Sequence, residues 1–172
     1  MTLFWIYALL GFVVLQRGIE LAYARRNAAR LLARGGREVG GEHYPLFIAL
    51  HASWLAALIL LARPTENVPW LLLAIFAVLQ MLRIWIIASL GPYWTTRIVT
   101  LPDAPLQRRG PYRWLEHPNY LLVAAEIPVL PLILNLPVVA LLFGLLNAAL
   151  LTYRIHVEDR ALKPRRRVAA SD

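Results

Sequence analysis

The chain has 172 residues, 59% of them hydrophobic and 16% charged, with a mean hydropathy of +0.56 and a formal net charge of +8. Several stretches are long and apolar enough to cross a bilayer, which excludes an ordinary soluble domain. The absence of cysteine excludes disulfides, thiolate metal sites and cysteine nucleophiles.

The first apolar stretch starts at Leu3 with no Lys or Arg ahead of it, and no small-residue cleavage site follows Leu15, so it is expected to stay as a membrane span. Hydropathy and helix breakers predict an all-α, polytopic membrane helix bundle, one domain over residues 1–172, with five spans at about 2–22, 44–61, 68–90, 120–136 and 137–153. Arg63-Pro64-Thr65-Glu66-Asn67 joins spans two and three and Asn135-Leu136-Pro137 joins four and five, so both pairs are expected to be antiparallel hairpins. Basic residues set the orientation. Arg25, Arg26, Arg30, Arg34 and Arg37 lie between spans one and two, and Arg97, Arg108, Arg109 and Arg113 between three and four. Arg154, Arg160, Lys163, Arg165, Arg166 and Arg167 follow span five, against Arg63 on the other side. The positive-inside rule places the N-terminus outside and the C-terminus in the cytoplasm. The same sorting explains a pI near 10.6 without a nucleic-acid partner, and it favours contact with membrane lipids.

Two polar segments interrupt this pattern. Gly110-Pro111-Tyr112-Arg113-Trp114-Leu115-Glu116-His117-Pro118-Asn119-Tyr120 leads into span four, and Arg154-Ile155-His156-Val157-Glu158-Asp159 ends span five. Tyr120 is 17 residues before Pro137 and Arg154 is 17 after it, so both ends of the hairpin arrive ~25 Å from its outer turn. On span five, Asn147, Arg154 and Glu158 fall within ~20° of one helical stripe, with His156 on the other side. Singly, each segment is weak evidence: His117-Pro118 can be read as a plain helix start, and Arg154 with Glu158, as a lesser reading, as a surface ion pair. Their shared depth marks a candidate site. Within the apolar runs, Arg83 reads equally as a pocket residue or as the partner of Glu126, and Glu126 is expected to face the bundle interior. His51 and Gln80 read as interhelical hydrogen-bonding groups. Pro128 and Pro131 are expected to kink span four, and Trp5, Trp70, Trp94 and Trp114 to form an interfacial belt.

Gly110-Pro111-Tyr112-Arg113, His117-Pro118-Asn119-Tyr120 and Arg154-x-x-x-Glu158-Asp159-x-x-Leu162 together resemble the isoprenylcysteine carboxyl methyltransferase family. Leu90-Gly91-Pro92-Tyr93-Trp94-Thr95-Thr96-Arg97-Ile98, Gln16-Arg17-x-x-Glu20-Leu21 and Gly41-Glu42-His43-Tyr44 resemble its small bacterial branch, which includes alkylpyrone and alkylresorcinol O-methyltransferases. The resemblance implies an S-adenosylmethionine-dependent methyltransferase of the bacterial inner membrane, with a cytoplasm-facing cofactor pocket and a lipid-like acceptor. Tyr112, His117, Pro118, Tyr120 and Asp159 inherit cofactor binding, and Arg154 and Glu158 inherit catalysis, Glu158 being expected to fix the Arg154 guanidinium by an ion pair. Arg83, Glu126 and Asn147 are candidates for the acceptor side. Glu116 stands where the family usually has arginine, and Asp159 where it usually has a second glutamate. Methyl transfer leaves S-adenosylhomocysteine and needs no metal. For a neutral hydroxyl acceptor a base is wanted, with Glu158 or His117 the candidates. The acceptor is read as an alkylpyrone-type polyketide first and an isoprenylcysteine-type carboxylate second. A phospholipid amine N-methyltransferase and a non-catalytic lipid- or partner-binding membrane protein are the alternatives.

Overall fold

A computed structural model describes residues 1–101 and 108–168, with side chains as far as Ala161; the side chains of Lys163, Arg165, Arg166 and Arg167 lie outside the described part. The protein is an all-α polytopic membrane bundle of five helices: α1 (Leu3–Ala33), α2 (Tyr44–Leu61), α3 (Trp70–Leu90), α4 (Pro118–Ile133) and α5 (Pro137–Val168). Helices α1, α2, α3 and α5 are long and apolar enough to cross a membrane. With 16 residues, α4 spans only ~24 Å and is the short member of the set.

At 31 residues, α1 is ~46 Å long and continues well beyond the end expected for span one. Asn27 anchors the extension. It is fully buried, and its Nδ2 donates to the carbonyls of Gly91 at 3.1 Å and Trp94 at 2.9 Å just beyond α3. Trp94 stacks on Tyr23 with ring centroids 6.1 Å apart and is 4% exposed. The belt expectation therefore fails for Trp94, which is an internal wedge; Trp5, Trp70 and Trp114 are exposed. Two short strands, β1 (Arg37–Val39) and β2 (Ile98–Thr100), pair antiparallel with Arg37 opposite Thr100 and Val39 opposite Ile98, tying the α1–α2 connection to the segment after α3.

The α4–α5 hairpin turns at Asn135, whose φ of 56° lies in the left-handed region that asparagine tolerates better than most residues. Pro137 opens α5, where a missing N–H costs no helical bond. Inside α4, Pro131 cannot donate to the Ile127 carbonyl four residues back. The indole Nε1 of Trp54 on α2 donates to it instead, at 3.1 Å. The end of the bundle that holds this turn is packed solid by Ile6, Leu10, Trp54, Leu58, Leu130 and Ile133, none more than 2% exposed. The opposite end is hollow.

Candidate active site

A cavity of about 630 Å³ opens between the helices at the hollow end, within the ~300–1,000 Å³ range of small-molecule sites. Its wall is built where α4 begins and where α5 leaves the bundle. Pro118 occupies the first turn of α4, so His117, held outside the helix at φ −129° and ψ 55°, sits one turn from Tyr120. The His117 and Tyr120 rings stack with centroids 5.3 Å apart and planes 19° apart. His117 Nε2 meets Asp159 Oδ1 at 3.0 Å, which fixes the imidazole from α5. Glu116 joins these two closely enough that three ligand-type atoms fall within 4.8 Å of one another, a grouping able to hold a cation.

Arg154 is 7% exposed, and its guanidinium lies over Phe47 at 5.1 Å and Tyr120 at 5.6 Å from the ring centroids. Aromatic faces replace part of the hydration that burial removes. Its Nε donates to the Tyr120 hydroxyl at 2.8 Å and an Nη to the Thr96 carbonyl at 2.7 Å. The Tyr120 hydroxyl in turn donates to Glu158. The direct Arg154–Glu158 pair expected from i, i+4 spacing is thus replaced by a relay through Tyr120, because that hydroxyl reaches between them and satisfies both.

Tyr112 enters from a 3₁₀ turn, Gly110–Arg113, that leans on α3. Gly110 has φ 53°, and a Cβ there would run into the Ser89 hydroxyl, so glycine allows the close approach. Burial pushes the Tyr112 hydroxyl well above the usual tyrosine range, and the Glu158 carboxylate adds to the shift.

The cavity floor is charged. Arg83 donates through Nε to Glu126 at 2.9 Å and through an Nη to Glu20 at 3.1 Å, with a second Nη bond to Glu126. Arg17 reaches Glu20 and Glu126, each at 2.8 Å. Gln80 donates to Glu126 at 3.0 Å and accepts from Gln16 at 2.8 Å. Two guanidinium and two carboxylate groups cancel, which is how charge at this depth is kept without a net ion. Of the two readings of Arg83, the pairing with Glu126 is observed, and the side chain also lines the cavity.

Tyr112, His117, Tyr120, Arg154 and Glu158 also line the cavity. Pro118 and Asp159 support that wall from behind, and Glu126 stands behind Arg83. Asn147 shares the stripe of Arg154 but is wholly enclosed, its amide making no hydrogen bond among the described residues. Reasoning from sequence missed Arg17 and Glu20 as floor residues, although charges three apart in an apolar run were the available signal. It also placed His51 between helices; His51 instead bonds the Phe47 carbonyl of its own helix and faces the cavity. Gln80 is interhelical, as expected.

Fold and comparisons together define a membrane-bound methyltransferase. The model of the isoprenylcysteine carboxyl methyltransferase (ICMT) family matches residues 70–164, and the chain belongs to that family. It is 38% identical over 165 residues to the uncharacterized protein YpbQ of Bacillus subtilis (strain 168), covering 94% of this chain and 97% of that one. It is 26% identical over 154 residues to an uncharacterized protein of Haemophilus influenzae, covering 85% of this chain and 88% of that one. No solved structure gives a significant match.

Proposed function

We propose that the chain transfers the methyl group of S-adenosylmethionine to an oxygen of a lipid-like acceptor, an alkylpyrone-type polyketide before an isoprenylcysteine-type carboxylate, at the cytoplasmic face of a bacterial inner membrane. The observation that carries this reading is the Arg154–Tyr120–Glu158 relay beside the His117–Tyr120 stack, facing one cavity. Exposed Arg26, Arg30, Arg97, Arg108 and Arg113 belong to the segments at this end, which supports a cytoplasmic orientation.

The residues present fit the cofactor. Asn119 lines the cavity with its Oδ1 buried and without a hydrogen-bond partner among the described residues, an acceptor that an incoming ammonium or hydroxyl group would satisfy. Tyr112, His117 and Tyr120 supply aromatic walls, Glu158 an anionic contact and Asp159 the brace for His117. When bound, S-adenosylmethionine supplies a methyl group on a cationic sulfur. Arg154, held by Thr96 and two rings, orients the acceptor oxygen, while Leu21, Phe47 and Val123 keep the space between wall and floor dry. Pro118 fixes where α4 starts and hence where Tyr120 stands.

Calorimetric titration of the purified protein with S-adenosylmethionine is expected to give a binding heat. His117→Ala and Arg154→Ala are expected to weaken that affinity by about tenfold or more. No heat from folded wild-type protein refutes the proposal and favours a non-catalytic lipid-binding role.

A further inference from the structure

His51 sits one turn beyond Phe47 on α2, ~6 Å deeper, beneath the ring on which Arg154 stacks. Its Nδ1 lies 2.8 Å from the Phe47 carbonyl oxygen. A carbonyl only accepts, so Nδ1 carries the proton, and the neutral ring keeps its lone pair on Nε2. His51 lines the cavity with that second nitrogen free of a hydrogen bond to protein among the described residues. Charges around it are already matched. Arg17 and Glu20 on α1, Arg83 on α3 and Glu126 on α4 cancel at the floor, and Arg154 and Glu158 on α5 cancel across Tyr120. At the floor and beside Tyr120 a carboxylate acceptor meets only arginines already matched by carboxylates, whereas a neutral hydroxyl adds no charge there; the exposed Arg108, which also lines the cavity, has no carboxylate partner among the described residues.

Resting on the methyltransferase reading, we propose that His51 is the general base for a neutral hydroxyl acceptor, an enol or phenol carried on a lipid chain. The acceptor O–H bond breaks with its proton passing to His51 Nε2. The oxygen's electron pair forms the new bond to the methyl carbon, and the carbon–sulfur pair returns to sulfur as a neutral thioether. One positive charge moves from sulfonium to imidazolium, so the total is unchanged. The Phe47 carbonyl, accepting from Nδ1–H, strengthens as a partner when the ring becomes cationic.

The test compares wild-type protein with His51→Asn, whose amide retains a donor, and His51→Gln, each checked for wild-type thermal stability. Labelled S-adenosylmethionine is supplied with a 5-alkylresorcinol, an alkyl nitrophenol or S-farnesylcysteine. Both variants are expected to lose about 100-fold in kcat on the resorcinol with KM little changed. The loss should shrink to a few-fold on the nitrophenol above its own pKa, because an ionised acceptor needs no base. Equal losses on ionised and neutral acceptors overturn the role of His51. Transfer to S-farnesylcysteine alone overturns the hydroxyl class and leaves the methyltransferase standing; transfer to no acceptor, with no binding heat, takes down both.

Discussion

Replacing Glu126 by glutamine tests whether the floor is held by charge balance. Glu126 is 2% exposed and accepts from Arg17, Gln80 and Arg83, while Arg83 is 3% exposed. Removing its charge leaves two guanidinium groups facing Glu20 alone, one uncompensated cation inside the bundle. Breaking a buried pair in this way costs about 3–5 kcal/mol, or roughly 6–20 °C in Tm for a chain of this size. The double variant Arg83→Met with Glu126→Gln leaves Arg17 paired with Glu20 and no net charge, so it should be more stable than Glu126→Gln alone. Thermal unfolding in detergent, followed by tryptophan fluorescence, reads both. A double variant less stable than either single, with additive losses, refutes the charge-balance argument and makes the network a set of independent hydrogen bonds.

Tyr120→Phe should lower methyl transfer by about 10–100-fold while leaving the fold intact, since it cuts the Arg154 and Glu158 contacts together but frees those two residues to pair; activity unchanged in a transfer assay rejects the relay. Trp54→Phe should cost about 1–3 kcal/mol by orphaning the Ile127 carbonyl, and adding Pro131→Ala should recover part of it by restoring an N–H; equal melting of both variants contradicts this. Because burial and Glu158 raise Tyr112 above its unfolded value near 10, its contribution to stability is complete below about pH 10 and is lost as pH rises from there. Alkaline melts of Tyr112→Phe should therefore fall less steeply than wild type, and identical slopes count against the shift. Gly110→Ala should destabilise through its positive φ and the Ser89 contact, a loss that Ser89→Gly relieves only in part.

Helix number, the tight α4–α5 hairpin and the meeting of the α4 and α5 polar segments were legible because apolar runs, prolines and Asn135 act locally; the expected α2–α3 hairpin does not form a packed pair, since α2 lies against α5. Arg154 and Glu158 could be placed on one stripe by counting, but their link could not, since Tyr120 enters from another helix. The reach of α1 to Ala33 was hidden because its last turns are polar and depend on Asn27 meeting backbone carbonyls far along the chain. Trp94 resembled an interface residue in sequence, and only its stacking on Tyr23 shows it inside. His51 was misread because its intrahelical bond to Phe47 is a rotamer choice, invisible to spacing.

The floor network also constrains how the chain is inserted. Arg17 and Glu20 arrive on the same helix and neutralise each other at once. Arg83 then enters with α3 as an unmatched cation, and its counter-charge, Glu126, is not translated until α4. Between those events the nascent bundle carries one surplus positive charge, which is balanced only when the short, proline-bearing α4 docks against α3. The charged floor is thereby balanced before α5 brings Arg154 and Glu158 to the wall of the site.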